Sequence, residues 1–175
     1  MRARLIRVPL AASVLLAMWA APAGAAGPEG PVAARCGFSY APAISPGIGM
    51  APGAGTVSSG GESGTVDCTG SLDGHEITGP GTWGFEGVVS RASCAEGGEG
   101  TGLILMTVPT DAGSQHFEEA IDFAFGPAGT YPPLVGDWVG QRTTGIYVVT
   151  PAEGDCVTAP VTRVDGNGRL ELHGR

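Results

Sequence analysis

Lysine is absent from the 175 residues, and beyond the first 25 the arginines (Arg35, Arg91, Arg142, Arg163, Arg169 and Arg175) are scattered. Neutralising phosphate takes grouped cations, so nucleic acid and anionic lipid are poor partners. Charged side chains make up only 15% of the chain, and the Ala/Glu/Lys/Leu wealth of helical proteins is missing. The three histidines, His75, His116 and His173, stand singly, without H-x-H or H-E-x-x-H spacing, so neither a metal nor a cofactor is expected. C-x-x-C is also absent, which excludes a thioredoxin-type redox pair and a zinc knuckle. Beyond the N-terminus the apolar run Leu103-Ile104-Leu105-Met106 is far too short for a membrane span and suits a strand buried on both faces.

The N-terminus carries the strongest positive signal. Arg2, Arg4 and Arg7 precede an apolar stretch from Val8 to Ala21 and the small residues Ala23-Gly24-Ala25. This pattern predicts a secretory signal peptide over 1–25 and an extracellular protein. The formal net charge is −8, and loss of the three arginines makes the remainder more acidic still, in keeping with solubility outside the cell. Secretion also makes Cys36, Cys68, Cys94 and Cys156 readable as two disulfides. Four cysteines allow three pairings. The preferred one, Cys36 with Cys68 and Cys94 with Cys156, closes two loops of intermediate length, each contributing about 3.5 to 4.5 kcal/mol by chain entropy.

A flexible segment is expected over 26–34, and a single β domain over 35–175. Residues 41–64, crowded with Pro, Gly, Ala and Ser, read as an irregular excursion. From Thr65 onward short β segments alternate with turn signals, among them Asp73-Gly74, Asp111-Ala112-Gly113 and Asp165-Gly166-Asn167-Gly168. The stretch 117–125 fits both periods, and its three phenylalanines in a β-rich context favour strand. About nine short strands predict an antiparallel β-barrel, with a β-sandwich as the alternative.

Four motifs touch on chemistry without carrying it. Gly79-Pro80-Gly81-Thr82-Trp83-Gly84 matches a dinucleotide fingerprint, but a β segment follows where a helix is required. Gly61-Glu62-Ser63-Gly64 resembles a serine-protease nucleophile stretch, yet no histidine precedes it, so it reads as a loop. The Asp165–Gly168 string has Arg169 where a calcium loop needs its next ligand, and reads as a hairpin turn. His116 and Glu118 share a strand face and form the one candidate base with an orienting carboxylate. Trp83, Phe85, Phe123, Phe125, Trp138 and Tyr147 either form the core or line a pocket for a small apolar ligand, since barrel interiors can hold one.

The strings Cys68-Thr69-Gly70, Gly79-Pro80-Gly81-Thr82 and Gly154-Asp155-Cys156-Val157-Thr158-Ala159-Pro160-Val161-Thr162-Arg163 resemble a group of small secreted β-rich proteins of high-GC Gram-positive bacteria. The likeness runs from Thr65 to the C-terminus and rests on turns and cysteines, so it implies a fold class and a compartment but no activity. The expectation is a secreted, non-enzymatic binding or interaction module acting on an unknown protein outside the cell, with an exposed apolar patch around Trp138. A carrier of a small apolar ligand and a hydrolase or isomerase using His116 and Glu118 are the alternatives.

Overall fold

The computed structural model describes residues 30–127 and 134–175. The signal peptide expected over 1–25 and the start of the segment expected over 26–34 lie outside these residues, while Val32–Ala34 already belongs to the first strand. Among the described residues there are eleven strands and no helix: β1 (Val32–Tyr40), β2 (Ala43–Ile48), β3 (Gly53–Ser58), β4 (Gly64–Leu72), β5 (His75–Glu76), β6 (Gly81–Ser93), β7 (Gly97–Thr110), β8 (Gly113–Phe125), β9 (Leu134–Gly140), β10 (Thr143–Glu153) and β11 (Val161–His173). No helix in these residues is long and apolar enough to cross a membrane.

All pairings are antiparallel within one sheet of order β10-β9-β8-β7-β6-β3-β2-β11-β1-β4-β5. Two further pairings, β10 with β11 and β6 with β4, turn the sheet back on itself. Two long strands change neighbours along their length. β6 pairs with β4 through Gly81–Trp83 and with β3 from Glu86 to Ala92. β11 pairs with β2 near Val161 and with β1 from Gly166 onward. The β2–β3 hairpin therefore continues the wall where β1 and β4 leave it. It occupies the stretch 41–64 expected to be irregular, with Ile44, Ile48 and Val57 supplying the inward apolar side chains.

Alternation along each strand separates inside from outside. On β8, Phe117, Ile121, Phe123 and Phe125 are buried while His116, Glu118, Ala120, Asp122 and Ala124 are exposed, so 117–125 is strand as the phenylalanines predict. The interior is an aromatic stack. Phe38 lies 4.4 Å from Trp83 and 4.8 Å from Trp138, and Trp138 stacks on Tyr147 at 4.9 Å. Phe85 meets Phe123 edge to face at 5.3 Å. These rings fit because glycine stands opposite most of them: Phe38 faces Gly168, Tyr40 faces Gly166, Phe123 faces Gly100, Phe125 faces Gly98 and Tyr147 faces Gly136.

That pairing corrects one expectation. Asp165-Gly166-Asn167-Gly168 is not a hairpin turn but the middle of β11, where the two glycines admit the rings of Tyr40 and Phe38. Asp73-Gly74 does make the expected hairpin turn, joining β4 to β5 with positive φ at both residues, 51° and 87°.

Two disulfides join Cys36 to Cys68 and Cys94 to Cys156, the preferred pairing. The first bridges directly opposed residues of β1 and β4. The second ties the residue after β6 to the loop before β11, where Asp155 organises the backbone by accepting hydrogen bonds from the amides of Val157, Thr158 and Ala159 and from the Thr158 hydroxyl. Those bonds, with Thr158 contributing most, hold the Asp155 carboxyl down to about 2.

Candidate functional site

The six aromatic residues considered for a pocket are all buried. Five of them, Phe85, Phe123, Phe125, Trp138 and Tyr147, border an interior cavity of only about 40 Å³ together with Tyr40, Ile44 and Leu134. Trp83 lies deeper in the stack, against Phe38 and Trp138. Small-molecule sites usually measure about 300–1,000 Å³, so this volume suits a packing gap. Tyr147 spends its hydroxyl on the Ala124 carbonyl at 3.0 Å, and burial pushes its pKa well above the ordinary phenol value.

The histidines stay apart. The His116 Nδ1 is hydrogen-bonded to the Thr107 hydroxyl at 2.9 Å, across the ladder, and neither a hydrogen bond nor an ion pair joins the ring to Glu118. Both side chains stand on an exposed strand face. His75 lies 3.4 Å from Asp111, and His173 bonds the Thr144 hydroxyl and the Gly30 carbonyl, each at 3.2 Å. Among the described residues no group of three His, Cys, Asp or Glu side chains could hold a metal ion. Ser63 donates to the Ser59 carbonyl within the β3–β4 connection, and the Gly79–Gly84 string leads into β6 rather than a helix.

The outer surface is more distinctive. Val135 and Val139 of β9 and Ile146 and Val148 of β10 are 59%, 39%, 57% and 38% exposed, and Val135 stands directly across from Val148. Val88 of β6 adds 52% exposure on the same continuous outer face. Trp138, expected to sit in an exposed patch, is 2% exposed, because it occupies the inward parity of β9 while its neighbours Asp137 and Val139 point outward. The exposed apolar side chains of this strand are aliphatic, and the indole lies inside.

Shallow grooves run along this face. One of about 770 Å³ is bordered by Val88, Leu103, Ala120 and Val139, and one of about 640 Å³ by Val88, Glu99, Asp122 and Asp137. The aliphatic side chains follow from Ile146-Tyr147-Val148-Val149, which is apolar at both parities; Tyr147 and Val149 are inside, so Ile146 and Val148 must face out. No family of known proteins, no curated protein and no solved structure matches the chain.

Proposed function

We propose that this chain is a secreted, non-enzymatic binding module, a closed antiparallel β-barrel whose interior is packed and whose outer face from β6 to β10 engages a protein partner. The observation that carries this reading is the exposed aliphatic set Val135, Val139, Ile146 and Val148 over a filled interior. A soluble protein gains nothing from exposing such a contiguous patch unless something covers it. The pairings of β10 with β11 and of β6 with β4 support closure of the barrel, since the first gives the terminal strand β10 a second neighbour and the second joins β4, near the other end of the order, back to the middle of the sheet. Two disulfides suit an oxidising compartment, and the likeness to secreted β-rich proteins points the same way.

Carriage of a small apolar ligand finds less support, because about 40 Å³ leaves no room for one without moving the stacked rings. Chemistry at His116 and Glu118 finds less support, because the His116 ring bonds Thr107 and not Glu118.

The test places a photo-crosslinking side chain at Val139 or at Asp67 of the protein secreted by its own host. Asp67 is an exposed residue of β4, four ladder steps from β9 by either route. Covalent adducts from position 139 and none from 67 are the expected result. Adducts from 67 alone, or equally from both, would overturn the assignment of the binding face.

A further inference from the structure

The chemistry of the partner follows from what stands among the exposed aliphatic side chains, given the binding-module reading on which this inference rests. In one row across the sheet Val88 pairs with Thr101, Thr101 with Asp122 and Asp122 with Val139. In the next row Glu99 pairs with Ala124 and Ala124 with Asp137. Carboxylates thus alternate with small or aliphatic side chains on a grooved surface, and the two grooves meet at Val88, Thr101, Asp122 and Val139.

Among the described residues no arginine or histidine forms an ion pair with Glu99, Asp122 or Asp137, whereas Glu171, further round the same face, is held by Arg35 at 2.9 Å. Strands are about 4.8 Å apart, which puts Glu99 and Asp137 about 10 Å from one another with Asp122 in the adjoining row. At physiological salt, where the screening length is about 8 Å, Glu99 and Asp137 are largely screened from one another, while Asp122 stands diagonally between them and nearer to both. Arg169, beside Ile146 in the row of Asp137, is a cation on the same face, but a chain with no lysine and a net charge of −8 offers these carboxylates little else. A second copy of the same face would bring like charges together, so charge disfavours self-association.

We infer that the outer face of β6–β9 takes an extended segment of another protein in which Lys or Arg alternates with aliphatic residues. The cations answer the three carboxylates, and the aliphatic side chains cover Val88, Leu103 and Val139.

The test measures binding of the secreted protein to three synthetic peptides of about ten residues, alternating Val with Lys, Ser with Lys, and Val with Glu. The Val/Lys peptide is expected to bind at least about tenfold more tightly than either control. Asp122→Asn with Asp137→Asn, and separately Val139→Ser, should each weaken it by about tenfold, with near-ultraviolet circular dichroism unchanged. Raising salt from about 50 to about 500 mM should weaken wild type far more than the double Asn variant. Equal binding of the Ser/Lys peptide would overturn the inference, since the aliphatic floor would then contribute nothing. No binding of the Val/Lys peptide, with adducts still forming at position 139, would overturn the cationic partner and leave the binding face standing. No binding together with no adducts at 139 would remove both. Self-association through this face, seen as a dimer broken by Val139→Ser, would overturn the inference in favour of a second copy.

Discussion

Gly168 of β11 stands directly across the ladder from Phe38 of β1, and the phenyl ring fills the space that a Cβ at position 168 would need. The same relation holds for Gly100 and Phe123, where an added Cβ would lie 2.5 Å from the ring carbon Cζ, and for Gly136 and Tyr147, also at 2.5 Å. Large inward rings and absent side chains alternate between neighbouring strands, so the interior fills without pushing the walls apart. Gly37, one residue before Phe38, has nothing within 4 Å of its own added Cβ. Gly168→Ala should therefore destabilise by about 1–3 kcal/mol through overpacking, and Gly37→Ala should be neutral or stabilise by about 0.5 kcal/mol. Urea unfolding of the two variants measures both. Equal effects would contradict the ring-over-glycine arrangement.

The two disulfides should differ in where their loss is felt. Cys36 and Cys68 lie on strands already joined by ladder hydrogen bonds, so their removal acts through the unfolded chain, at about 3–4 kcal/mol in global stability. Cys94 and Cys156 join segments that share no ladder, so Cys94→Ser with Cys156→Ser should also speed amide exchange locally over residues 154–160. Hydrogen exchange of the two double variants separates these effects.

Arg142 lies over the buried Phe117 ring. Its Nη2 donates to Asp73 at 2.8 Å, its guanidinium carbon lies 5.7 Å from the Phe117 ring centroid, and its backbone amide donates to Glu119. Arg142→Ala should cost about 1–2 kcal/mol, and Arg142→Lys should recover less than half of it, because an ammonium cannot lie flat on the ring while reaching Asp73. Thermal unfolding of the pair decides this.

Asp155 gives a pH signature with a definite sign. Its folded pKa, about 2, lies below the ordinary 3.8, so its contribution is present above pH 4 and is lost as pH falls toward 2. Asp155→Asn should melt lower than wild type at pH 6, and the two melting curves should converge near pH 2. A constant difference across that range would contradict the carboxylate's role.

The inward side of the fold was legible wherever one parity alone was apolar, as in β8 with Phe117, Ile121, Phe123 and Phe125. The disulfide pairing was legible only as a preference among three. Gly166 and Gly168 were misread as a turn because glycine has two uses in a β protein, bending the chain and making room for a neighbour's ring. Which use applies depends on register with β1, a partner more than a hundred residues away. The strands at 43–48 and 53–58 leave no periodic signal in the sequence because their inward residues, Ile44, Ile48 and Val57, are too sparse to make one. At the candidate face, Ile146 and Val148 were visible as apolar, but their outward direction needed Tyr147 and Val149 to be placed inside.

The proposed module has a filled interior and binds through its outer face. A native mass spectrum of the protein purified from the culture fluid of its own host, recorded before and after denaturation, tests this most directly. The expected result is the mass of the processed chain less the four hydrogens of two disulfides, with no small molecule retained. A reproducible additional small-molecule mass, lost on denaturation, would contradict it by placing a ligand among the rings around Trp138.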